Sequence, residues 1–101
     1  MPSLTMKIPH DLTQKEALNR IRGLLGDLKK EQKDNIRDLK EDWNGETGNF
    51  QFTAKGFTVS GSIEVQPSSV DIDANVPFAV SLFKGTIKQV IDKRARELLI
   101  P

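Results

Sequence analysis

After Asn44 the apolar residues stop recurring every three or four positions and begin to alternate. Phe50, Phe52 and Ala54 face one way and Gln51, Thr53 and Lys55 the other. Phe57, Val59, Gly61, Ile63 and Val65 then alternate with Thr58, Ser60, Ser62, Glu64 and Gln66, and Val70, Ile72, Ala74 and Val76 with Asp71, Asp73 and Asn75. A period of two places the apolar side chains of a strand on one face, so this stretch predicts three consecutive half-buried antiparallel strands. Turn residues mark the corners: Asn44-Gly45, Thr47-Gly48, Gly56 and Pro67-Ser68-Ser69. A sheet with one apolar face needs a lid, and the flanking segments must supply it.

Both flanks read as amphipathic helices. Thr13 and Glu16 have the spacing of a capping box, with Leu12 placed to staple onto Ala17. Ala17, Leu18, Ile21, Leu24, Leu25 and Leu28 follow at helical spacing, and Gly23 and Gly26 lower the intrinsic propensity, so this helix depends on packing. Its end is placed near Lys33, with residues 36–43 as a further strand; a rival reading runs the helix to about Glu41. Pro77 suits the first position of a second helix, whose Leu82, Phe83, Ile87, Val90, Ile91, Leu98 and Leu99 form a broad apolar stripe. Gly85 in that stripe is expected to allow close approach to the sheet. Ahead of everything, Leu4, Met6 and Ile8 alternate with polar residues up to Pro9, predicting a short first strand.

The expected order is therefore β-α-β-β-β-β-α. It describes an α+β, two-layer sandwich, an antiparallel sheet covered on one face by two helices, as in TATA-binding-protein-like half-domains or an abbreviated helix-grip protein. That likeness concerns fold and assigns no function. At 101 residues the expectation is a single domain, residues 1–101, whose core has room for only a small or cryptic pocket.

Composition narrows the chemistry. There is no Cys and one His, so thiolate nucleophiles, disulfides and multi-histidine metal sites are not expected; no metal and no cofactor is assigned. The start Met1-Pro2-Ser3-Leu4 lacks the pattern of a signal peptide, and no run of 18 apolar residues occurs, so no transmembrane segment and a cytoplasmic location are expected. Charge is balanced through residue 47, with nine cations against nine acids, and residues 77–101 carry five cations against two acids. The wet sheet face offers Thr53, Thr58, Ser60, Ser62, Glu64, Asp71 and Asp73 with Lys55 as its clear cation. Nucleic-acid binding is not expected there, since such faces need aromatic platforms framed by Arg and Lys.

Few residues suggest catalysis. Glu41 stands between Leu39 and Trp43 at period two, which aims its carboxylate at the core; a buried carboxylate can serve as acid or base, whereas an edge strand carrying an inward charge that reaches solvent is the plainer reading. Asp71 and Asp73 share a wet face and read as solubilising. His10, with no second His, reads as a cap or a contact residue. The second helix presents Lys84, Lys88, Lys93, Arg94 and Arg96 beside its apolar stripe, which suits an anionic lipid or granule surface.

Several stretches of the chain carry a family resemblance. They are Pro9-His10-Asp11-Leu12-Thr13 with Glu16-Ala17 ahead of Arg20-Ile21; Glu41-Asp42-Trp43-Asn44-Gly45; Gly56-Phe57 through Val59-Ser60-Gly61 and Ile63-Glu64-Val65; Val76-Pro77-Phe78-Ala79; and Leu82-Phe83-Lys84-Gly85 with Ile87. Together they resemble the polyhydroxyalkanoic acid system proteins, small bacterial proteins linked by name to polyhydroxyalkanoate granules. The resemblance implies a granule-associated role and transfers no catalytic residues. The function expected is non-enzymatic: binding of a storage-granule surface, a granule protein or a hydrophobic acyl ligand. An acyl chain would lie between Trp43, Phe50, Phe52, Phe57 and Val59 of the sheet and Leu25, Phe78, Leu82 and Phe83 of the helices. The alternatives are a protein–protein adaptor or homodimer acting through an exposed sheet edge, and a small hydrolase or isomerase using Glu41. The expected oligomeric state is a monomer or weak homodimer.

Overall fold

Alternation of Leu4, Met6 and Ile8 with exposed residues gives strand β1 (Ser3–Pro9), every second side chain of which is buried. A computed structural model describes residues 3–101; Met1 and Pro2 of the leader reading lie outside the described residues. The chain continues through helices α1 (Gln14–Ile21) and α2 (Leu24–Glu31), strands β2 (Ile36–Asn44), β3 (Thr47–Ala54), β4 (Phe57–Val65) and β5 (Ser69–Asn75), a 3₁₀ segment (Phe78–Phe83) and helix α3 (Lys84–Leu98). The five strands form one antiparallel sheet in the order β1-β5-β4-β3-β2, and the helices cover its apolar face. This is the expected α+β sandwich.

Local chemistry accounts for most boundaries. The Thr13 hydroxyl accepts the Glu16 amide at 3.1 Å and so caps α1; the Glu16 carboxylate does not complete the box but turns to Arg20, one turn on, at 3.0 Å. The first helix is broken: α1 closes at Arg22, and α2 restarts from Gly23, at a residue whose weak helix propensity the surrounding packing does not override. Residues 36–43 form the expected strand, and the rival helix to Glu41 is excluded, because Gln32 closes α2 and both Asn35 and Ile36 donate their amides back to its carbonyl. The β3–β4 hairpin turns through Lys55 at φ 52° and Gly56 at φ 84°, the pair of left-handed residues that a two-residue hairpin requires.

Three expectations need correction. Thr47 and Gly48 lie in β3 and not in the turn, and the glycine is needed there for space: a Cβ on Gly48 would come within 2.6–2.8 Å of the indole of Trp43, its partner on β2. Gly85 meets no close approach at all; it lies on the exposed side of α3 with open space around it. The apolar stripe from Pro77 onward is interrupted, because residues 78–83 wind as a 3₁₀ turn, whose three-residue period rotates Leu82 outward.

The register defines two ends of the sandwich. At one lie Pro9, Val65 and Asn44, with the β2–β3 and β4–β5 turns; at the other lie Ser3, Asn75, Ala54 and Ile36. The first end is sealed. The buried His10 accepts the Leu12 amide on Nδ1 and faces the Gln66 carbonyl with Nε2, both at 3.1 Å, so the neutral Nε2–H tautomer ties the β1–α1 loop to the β4–β5 turn. Arg20 donates to the carbonyls of Leu98 and Ile100, Gln14 donates to that of Val65, and Ala17, Ile21, Ala95 and Leu99 fill the space between.

Candidate functional site

The other end of the sandwich stays open. Here α2 is finishing, α3 is beginning, and β2 meets β3, so four elements diverge and their side chains do not fill the gap between them. The gap is a cavity of about 150 Å³. Leu25 and Leu28 wall it from α2, Ile36 and Leu39 from β2, Phe52 and Ala54 from β3, Phe83 from the end of the 3₁₀ segment, and Ile87, Val90 and Ile91 from the first half of α3. Polar groups enter it through Gln32, Asn35, Lys55 and Thr86. They are partly organised among themselves: Lys55 Nζ lies 3.3 Å from Asn35 Oδ1, and Asn35 Nδ2 donates to Gln32 Oε1 at 3.1 Å. Beside the cavity the 3₁₀ segment carries Phe78 and Leu82, 81% and 91% exposed, next to the half-exposed Phe83.

The aromatic residues expected to hold an acyl chain separate accordingly. Phe52 and Phe83 line the cavity together with Leu25. Phe50 stands behind Phe52, the two rings stacked with centroids 6.0 Å apart, and covers Gly61, where a Cβ would meet its ring and the backbone of β5. Val59 is fully buried in the core and is not part of the lining. Phe57 points toward the covered face but stays partly exposed at the end of β4, and Phe78 and Leu82 lie on the surface outside the lining. Trp43 is at the sealed end. Its indole packs over Gly48 and offers its face to the Arg22 guanidinium 5.8 Å away, which removes it from any site at the other end.

The basic residues of α3 separate as well. Arg94 points back into the molecule, 3.1 Å from Asp27, 3.6 Å from Glu31 and 3.8 Å from Glu97, so it joins α3 to α2 and is not free for a surface. The hydrogen bond with Asp27 raises its pKa above the usual arginine value, with burial opposing and the Glu31 and Glu97 charges adding to the rise. Arg96 pairs with Asp92 at 2.9 Å. Lys84, Lys88 and Lys93 make no ion pair among the described residues. At about 100° per residue, Lys84 and Lys88 point to the side of the apolar stripe while Lys93 sits on the far side, so the five cations do not share one face.

Glu41 is exposed on the edge strand. It shares the covered face with Leu39 and Trp43, but that face passes beyond the helices there, and its carboxylate accepts the Trp43 indole N–H at 3.3 Å. The burial that would suit it to acid–base work is absent. Asp71 and Asp73 lie on the outer face, with the Ser69 hydroxyl 3.4 Å from Asp71.

Sequence reasoning assigned Leu28 and Ile87 to helical stripes and aimed Leu39 at the core from a strand, and missed that these side chains stop short of filling one end. It also passed over Lys55 as a solvated residue. One signal was there: Lys-Gly occupies a two-residue hairpin where Asn-Gly or Asp-Gly is the usual choice.

Fold and site together define a small helix-on-sheet domain with an apolar cavity open at one end. Over residues 4–99 the chain matches the family model described as "Putative polyhydroxyalkanoic acid system protein", and it belongs to that family. The family ties it to the polyhydroxyalkanoic acid system. No curated protein matches it in sequence. Among solved structures it overlays the crystal structure of TTHA0849 from Thermus thermophilus at 12% identity, covering 97% of this chain and 92% of that one with a TM-score of 0.41, too loose a superposition to argue from. Among the described residues no helix is long and apolar enough to cross a membrane.

Proposed function

We propose that this protein acts in the polyhydroxyalkanoic acid system by binding rather than by catalysis, taking an acyl chain into the open end of its sandwich at a granule surface. The cavity beneath the exposed Phe78, Leu82 and Phe83 carries this reading. A lining of Leu, Ile and Phe favours an apolar chain, and three exposed apolar side chains on one short segment form a lip that suits an apolar surface. Lys84 and Lys88 begin α3 beside that lip and supply attraction to anionic groups. The polar groups of the lining, Gln32, Asn35, Lys55 and Thr86, include no acid–base pair, which favours binding over turnover.

Co-sedimentation with polyhydroxyalkanoate granules and with anionic lipid vesicles across a salt series tests this. The native protein is expected to sediment with granules, and a Phe78→Ser, Leu82→Ser variant to stay in solution. Changing Lys84, Lys88 and Lys93 to Gln is expected to weaken binding mainly at low salt. Failure to sediment with either surface overturns the surface reading.

A second reading has an observation of its own. Edge strand β2 is guarded by a register shift between Arg37 and Lys40, by Asp38 at φ 55° and by five charged residues, whereas edge strand β1 is regular and carries Lys7 as its single charge. Pairing of β1 with a second copy or a partner strand fits that difference. Sedimentation velocity over a concentration series is expected to show the dimer if the pairing forms; a single monomer boundary throughout sinks the homodimer.

A further inference from the structure

We propose that the ligand of the open end is an aliphatic monocarboxylate of about six carbons, its chain in the cavity and its carboxylate on the Lys55 ammonium. The proposal rests on the acyl-binding reading above and adds the head group, the chain length and the residue that recognises them.

Three observations carry it. The first is capacity: a void of about 150 Å³ lined by Leu, Ile and Phe has the size that accommodates a benzene-sized molecule, about six carbons. The second is charge. Among the described residues Lys55 is the one cation on the lining and no carboxylate pairs with it; its Nζ rests 3.3 Å from the neutral Asn35 Oδ1. An ammonium at the mouth of an apolar cavity, beside the amides of Asn35 and Gln32, complements an anionic oxygen group attached to an apolar chain.

The third is a local rule broken at the same residue. Lys55 holds φ 52° at the first central position of the β3–β4 hairpin, where Asn, Asp or Gly would sit with less strain. Departures of this kind concentrate where a side chain is needed in place. The turn brings Lys55 to the cavity lining beside Asn35 of the α2–β2 loop and not onto the wet sheet face, where alternation alone would put it.

The test is NMR titration of the native protein with sodium hexanoate and, in parallel, with methyl hexanoate, the uncharged ester that stands for an ester unit of the polymer. Hexanoate is expected to shift the amides around Leu28, Ala54 and Ile87, to bind about three- to fivefold more tightly than the ester, and to lose that margin in Lys55→Gln. Affinity is expected to climb from butanoate to hexanoate and to level off by decanoate. Ala54→Leu, which fills the cavity from β3, is expected to abolish binding of both ligands while leaving the dispersion of the spectrum intact. Equal binding of acid and ester, unchanged in Lys55→Gln, would overturn the carboxylate assignment and leave the acyl cavity standing. Absence of shifts with either ligand overturns both.

Discussion

The two ends of the sandwich are made from the same sheet and the same helix, yet one is closed and the other is not. At the closed end α1 and the end of α3 meet over Ala17 and Ala95, small residues that let helices approach, and the loops are tied down by His10, Gln14 and Arg20. At the open end α2 stops at Glu31, four residues intervene before β2, and the chain enters α3 through a 3₁₀ turn whose Phe78 and Leu82 point outward. The difference teaches that closure depends on the size of residues at the helix crossings and on polar ties at the loops more than on apolar content. The open end is rich in large apolar side chains, yet Phe78, Leu82 and Phe83 remain exposed there.

Truncation should break the sealed end hardest. Ile21 is fully buried there, and Ile21→Ala is expected to cost about 2–5 kcal/mol in chemical denaturation, whereas Ile87→Ala beside the cavity should cost clearly less because the void already exists. Equal losses at the two positions would remove the contrast. Gly48→Ala should come next, at about 1–3 kcal/mol, because its Cβ needs the space held by the Trp43 indole. A double-mutant cycle with Trp43→Leu checks the cause, since relief of the clash must appear as a favourable coupling.

His10→Ala removes two partly buried hydrogen bonds, and a loss of about 1–3 kcal/mol is expected, with hydrogen exchange accelerated at the Leu12 amide before the sheet is affected. Filling the cavity with Ala54→Leu should change stability little or raise it by up to about 1 kcal/mol, a result read as an unchanged or higher melting temperature. The smallest effect belongs to Arg94→Met: a slight lowering of the melting temperature that shrinks as salt is added, since its partners Asp27, Glu31 and Glu97 are all partly exposed.

Legibility followed the range of the interactions. The period of two in residues 50–76, the Thr13 cap and the alternation of residues 3–9 each report on neighbours in sequence, and the strands and the start of α1 formed where they were expected. Residues 78–83 were misread because a 3₁₀ turn and an α-helix differ by a fraction of a residue per turn, too little for six residues to reveal. Gly48 was misread for another reason. A glycine marks a turn and a place under an indole alike, and only the β2–β3 register shows which. Of the aromatic residues expected around a ligand, Phe52 and Phe83 reached the cavity and Trp43 went to the opposite end, since parity along a strand tells the face of a residue but not how far the lid extends over it.

By itself the sequence determined the layer architecture: which residues face the covered side, where helices must lie, and that a carboxylate such as Glu41 sits on an edge or is buried at a cost. Periodicity and capping are properties of adjacent residues, and they suffice for that. The tertiary structure alone decided where the covering fails. A cavity arises where α2, β2, β3 and α3 diverge, and an ammonium from a hairpin turn comes to its mouth; both depend on distances between segments tens of residues apart, which no local pattern encodes.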